Sequence, residues 1–167
     1  GAGAVALGAA VNADDIKVNG AIVTATGLVT SANGVSFLAN GGTLNANAGL
    51  TGNVDLNNGG VLVVDGAALT GDITSGNAVG EASVTAKNAL GIVGAVDLTN
   101  GGTVTTTAVT ANVTMGKGAT VSVAGDIGGT VDGDGATQGI LTLTGAGTVT
   151  GAVGGVAQVT KIIAQAD

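Results

Sequence analysis

Val54-Asp55-Leu56-Asn57-Asn58-Gly59-Gly60-Val61 returns further along the chain as Val96-Asp97-Leu98-Thr99-Asn100-Gly101-Gly102-Thr103, at an offset of 42. Both copies run from a short apolar alternation into Asn-Gly-Gly, a strong turn signal. Pieces of the pattern return elsewhere. Asn40-Gly41-Gly42 stands 18 before Asn58-Gly59-Gly60, and Gly71-Asp72-Ile73 stands 54 before Gly125-Asp126-Ile127. Leu50-Thr51-Gly52 is echoed by Leu69-Thr70-Gly71 and Val149-Thr150-Gly151. Spacings near 18 to 22 match one coil of a β-solenoid, in which each turn stacks on the last and buries a narrow core. The expected fold is therefore all-β, a parallel β-helix-like solenoid. An antiparallel β-sandwich of pilin type is the alternative.

Between the turns the chain alternates with period two. Lys17 to Thr26, Thr103 to Thr110, Ala119 to Ala124 and Ile140 to Thr144 carry Val, Thr, Ile and Leu, which suit a pleated, half-buried surface. Runs of four to eight residues predict about ten to fourteen strands. Only Val79 to Leu90 approaches a helical spacing, and its Thr, Val and Gly content disfavours a helix. One domain over 1–167 is expected, with an extended arm at 1–11 and a C-terminal strand or linker at 156–167.

Composition narrows the chemistry. Of 167 residues 33 are Gly, 45% are hydrophobic and 9% are charged, and Phe37 is the lone aromatic. Such apolar, β-branched content argues against disorder, and the lack of Pro and of a Gly-X-Y period excludes collagen. A sandwich normally carries aromatics and Pro in its core and corners, whereas a narrow solenoid core takes Val, Ile, Leu and Ala. Without His or Cys there is no Ser-His-Asp or Cys-His nucleophile and no usual zinc site. Four Lys against eleven acids give a formal net charge of −7, which repels nucleic acid and anionic lipid. No apolar run is long enough for a membrane-spanning helix. Gly1 to Ala10 lacks a basic segment and reads as mature sequence, and the absent initiator Met suggests processing or excision from a longer chain.

Gly42-Thr43-Leu44-Asn45-Ala46-Asn47-Ala48-Gly49-Leu50-Thr51-Gly52-Asn53-Val54 resembles the passenger sequence of bacterial autotransporters. So does Gly139-Ile140-Leu141-Thr142-Leu143-Thr144-Gly145-Ala146-Gly147-Thr148-Val149-Thr150-Gly151-Ala152-Val153-Gly154. Both are similar to the Gly/Ala/Val/Thr/Asn-rich repeats of large rickettsial surface antigens. The resemblance spans residues 40 to 156 and implies a secreted, right-handed parallel β-helix displayed on a bacterial outer membrane. The chain departs from that family in having no C-terminal membrane-barrel pattern with aromatic girdles. No functional residue carries over.

Asp132-Gly133-Asp134-Gly135 is the one cluster that suggests a ligand. Alternating Asp and Gly lets carboxylates and carbonyls converge on a hard cation such as Ca²⁺; the competing reading is a Gly-rich turn in which Asp accepts local backbone N–H bonds. Asp132 and Asp134 are the candidate metal ligands, and no other cofactor is expected. Asp14-Asp15 reads as a solvated turn before a strand. Asp55, Asp65, Asp72, Asp97 and Asp126 read as edge charges that discourage aggregation. Lys87-Asn88, near Glu81, reads as a surface turn rather than an amide crosslink. Thr103-Val104-Thr105 and Thr142-Leu143-Thr144 have the Thr-x-Thr form of ice-binding solenoids, without a constant coil spacing.

The functional expectation is a non-enzymatic structural or adhesive module of a bacterial surface protein, extracellular and autotransporter passenger-like. The alternatives are a pilus-like filament subunit joined by β-strand addition and, behind it, an ice-binding solenoid; an enzyme such as a depolymerase is disfavoured. Expected partners are further copies end to end, neighbouring segments of a longer chain, or a host-cell or matrix surface. Neither nucleic acid binding nor membrane insertion is expected.

Overall fold

A computed structural model describes residues 3–75, 82–135 and 138–165. The chain winds as a β-solenoid of about eight turns, and every strand pairing among the described residues is parallel. Parallel pairing without helical crossovers requires each coil to lie on the previous one, which excludes the antiparallel sandwich.

Three faces run the length of the stack. The first has nine strands, beginning at Ala4–Leu7 and ending at Val159–Ala164. The second has five strands, from Val11–Ala13 to Ile92–Val93, and continues as single bridges at Val109, Ile127 and Val149. The third has seven strands, from Ile16–Val18 to Val131–Gly133, with a further bridge at Val153.

The strands are more numerous and shorter than the alternation implies. Leu50–Thr51 and Val54–Asp55 lie on different faces with only Gly52 and Asn53 between them. Three corners per coil divide what reads as one run. Thus the described residues alone form 21 strands, against the ten to fourteen expected. Part of the helix-like stretch forms the strand Ala82–Ala86, and its residues 79–81 lie outside the described residues.

Alternation decides which side chains enter the core. On the first face Leu44, Leu62, Val84, Val104, Val121 and Leu141 form one register column, each at most 1% exposed. The second face adds Val29, Leu50, Leu69, Ile92, Val109 and Ile127. The third adds Val35, Val54, Ile73, Val96, Val113 and Val131. These columns meet in a single apolar cluster. Strand pairing from coil to coil supplies backbone bonds that a thicker protein would find within separate sheets.

Coil length is not constant, although register is. The coil that takes Thr103 to its partner Thr120 is shorter than the one that takes Val61 to its partner Ser83. Corners absorb the difference.

Candidate functional site

The repeated octet marks the corner between the third and first faces. Asp55 Oδ1 accepts the Asn57 amide at 2.8 Å, and Asp97 Oδ1 accepts the Thr99 amide at 3.0 Å. Both are Asx turns. Just beyond each Asp, an Asn reaches down one coil: Asn58 Nδ2 donates to the Phe37 carbonyl and Asn100 Nδ2 to the Ser75 carbonyl, each at 3.2 Å. Gly59 and Gly60 then turn the chain with φ of 80° and 115°, left-handed values that an L side chain resists. The octet recurs because the same corner is built twice, two coils apart.

Other polar side chains join coils in the same manner. Asp72 Oδ1 accepts the Ala95 amide at 2.8 Å, and Asp126 Oδ1 accepts the Thr148 amide at 2.8 Å. Asn53 and Asn112 do this for Asp72 and Thr130, each at 3.0 Å. Asp55, Asp72, Asp97 and Asp126 are therefore corner acceptors with specific partners, beyond the general repulsion that sequence reading gave them. Asp65 caps Gly66 at 2.8 Å and lies 3.9 Å from Lys87 Nζ. Lys17 Nζ lies 2.5 Å from Asp15 Oδ2. Both ion pairs are exposed, where such contacts contribute little.

Asp132 and Asp134 border one shallow groove with Asn112, Thr114 and Thr130. Asp132 is on the strand Val131–Gly133. Its Oδ1 accepts the Val156 amide at 3.0 Å, a partner in the next coil rather than in its own turn. That amide holds the carboxyl below the usual aspartate value. The Thr130 hydroxyl and the Gly155 and Ala157 amides add to the shift, against a desolvation effect that opposes it. Asp134 donates its own amide to the Met115 carbonyl at 2.8 Å. Among the described residues no three acidic, His or Cys side chains gather as a metal would require. The geometry suits Asp132 as a coil-to-coil acceptor. Glu81 lies outside the described residues, and Asn88 Nδ2 donates to the Gly66 carbonyl at 2.5 Å.

The outward side of the first face is chemically different. Thr43, Val61, Ser83, Thr103, Thr120 and Ile140 form one column, and Asn45, Val63, Thr85, Thr105, Ser122 and Thr142 form the next. The two Thr-x-Thr motifs are offset within this grid: Thr142 aligns with Thr105, not with Thr103. Spacing along the sequence hid the columns because the intervening coils differ in length.

Among the described residues the first face runs from Ala4–Leu7 to Val159–Ala164. Its terminal strands each lack a neighbour on one side among the described residues, and Val5 and Ile162 are 46% and 51% exposed. Both occupy the register of the buried Leu44 to Leu141 column. Comparison with family models, with curated proteins and with solved structures found no match.

Proposed function

We propose that the chain is a non-enzymatic structural module of a bacterial surface protein, a β-solenoid rod that supplies length, stiffness and polar surface outside the cell. The observation that carries this reading is the use made of the corner polar groups. Asn53, Asp72, Asn112, Asp126 and Asp132 each accept a backbone amide from the next coil. Each commits one side-chain oxygen to stacking one coil on the next. The resemblance to autotransporter passengers supports the extracellular setting. At about 4.8 Å per coil, nine first-face strands extend the rod to roughly 40 Å.

The test is antibody labelling of the intact source cell, paired with a turnover screen on cell-surface glycans. Labelling without permeabilisation and no glycan turnover are expected. Labelling only after permeabilisation would overturn the surface assignment, and glycan cleavage would replace the structural role with an enzymatic one.

A second reading, a filament subunit lengthened by strand addition, is favoured by the exposed Val5 and Ile162. A strand added parallel to Val159–Ala164 continues the first face, and Ala4–Leu7 of another copy is such a strand.

A further inference from the structure

We propose that the outward side of the first face is an ice-binding surface, a function separate from the structural role and independent of it. Three observations combine. Thr43, Ser83, Thr103 and Thr120 stand in one column, and Thr85, Thr105, Ser122 and Thr142 stand in the next. None of these eight hydroxyls has a partner among the described residues, whereas Ser31, Thr99, Thr106 and Thr110 at the corners are engaged. On the same face Asn45 Nδ2 donates to Thr24 Oγ1 at 3.3 Å, and the eight hydroxyls named here face outward without such a bond.

The second observation is charge. No charged residue occurs in the first eight strands of this face, and Lys161 on the ninth is the first. Eleven acids are placed in the chain without one entering those strands. A face meant for an ion, a nucleic acid or an anionic lipid would not be built so.

The third is regularity. Neighbouring hydroxyls repeat at about 4.8 Å from coil to coil and about 6.6 Å between alternate residues of a strand. The coil-to-coil repeat is close to the shorter oxygen repeat of hexagonal ice, and the repeat along the strand is about a tenth below the longer one. Register is kept while coil lengths vary, so the grid survives what the corners absorb. Thr and Val methyls stand between the hydroxyls, and apart from Gln138 at the start of its strand no outward side chain on these strands is longer than Ile. Glycan sites are generally concave and carry aromatic platforms, but Phe37 is 1% exposed. The ligand this chemistry fits is an ordered lattice of water.

The experiment is ice-affinity partitioning and thermal hysteresis of the purified full chain. Comparison is made with Thr105→Lys, in the middle of the grid, and Thr114→Lys, on the third face. Wild type is expected to concentrate in growing ice, and Thr105→Lys to lose about tenfold or more of that enrichment. Thr114→Lys, with Asp97 and Asp132 as register neighbours, is expected to match wild type. Exclusion of wild type from ice overturns the proposal whatever the variants do, including any failure of Thr105→Lys to fold. Equal loss in both variants, each with unchanged circular dichroism, also overturns it. So does a wild-type dimer abolished by Thr105→Lys without ice enrichment, which assigns the face to a second copy.

Discussion

Phe37 is the only aromatic side chain, and a single hydrogen atom admits it. A Cβ on Gly60, one coil further on, would lie 2.3 Å from the Phe37 ring. Gly60 also holds φ of 115°, so a side chain there suffers both contact and conformation. Gly60→Ala is expected to destabilise by about 2–4 kcal/mol, combining overpacking with backbone strain, and a denaturant melt will measure it. Ser75 presents the opposite case. It is 2% exposed, and its Oγ has no partner among the described residues. It follows Val18, Phe37 and Leu56 in an otherwise apolar third-face column. Ser75→Ala removes a buried hydroxyl without leaving a larger void, so it should be neutral or stabilising by about 1 kcal/mol; a loss above that would show that the hydroxyl has a partner. For Asp132 the sign is fixed by its lowered carboxyl. Its contribution is present above the ordinary aspartate value of 3.8 and is lost as pH falls through the lower folded value. A carbon-detected titration should place its midpoint below 3.8, and Asp132→Asn should remove that step. Excess chelator should leave the melting temperature unchanged, since the carboxylate is already engaged; a decrease would instead indicate linked metal.

Corners, rather than strands, individualise this solenoid. A two-residue strand such as Leu69–Thr70 offers few ladder bonds of its own, so a corner acceptor is a large part of what orders the turn. Asp72→Ala and Asp126→Ala should each cost about 0.5–1.5 kcal/mol, and hydrogen exchange should quicken at Ala95 in the first and at Thr148 in the second. Since the two corners share no partner, the double variant should cost the sum within about 0.5 kcal/mol. Strong coupling would mean that the two corners act as one structure. The same corners explain what the sequence disclosed. Asn-Gly-Gly and the octet could be read because Asx turn, descending Asn and paired Gly must fall in fixed order. Leu50-Thr51-Gly52 and Leu69-Thr70-Gly71 also correspond, as Leu50 pairs with Leu69. Gly71-Asp72-Ile73 and Gly125-Asp126-Ile127 do not: Ile73 pairs with Val96 on the third face, whereas Ile127 bridges Val109 on the second. Their separation by a multiple of 18 is coincidence. Variable coil length likewise concealed the outward columns, and no local rule could place the Val156 amide against Asp132.

At the scale of the whole molecule the stack is one strand out of step with itself. Among the described residues the first face has nine strands, whereas the second and third have eight positions each when their bridges are included. A second copy adding Ala4–Leu7 to Val159–Ala164 would continue only the first face. Extending the existing parallel register puts Val5 beside Ile162 and Leu7 beside Ala164. The other two faces would keep a gap of one coil, because no described residue of either copy fills the positions after Val149 and Val153. Burial at such a joint is therefore a fraction of that between consecutive coils. Association should be weak and reversible, and because unlike surfaces meet, it should produce short open chains rather than closed rings. Each copy carries a formal charge of −7, and at low ionic strength that repulsion opposes contact; about 1 M salt cuts the Debye length to roughly 3 Å and removes most of it. Light scattering should show mass increasing with concentration at high salt and a monomer at low salt. Val5→Lys, at the edge of the first strand and far from the coils that set the core, should abolish the increase while leaving the melt nearly unchanged. A monomer under all conditions would remove strand addition as a property of the isolated chain. Association indifferent to Val5→Lys would place the contact on another surface.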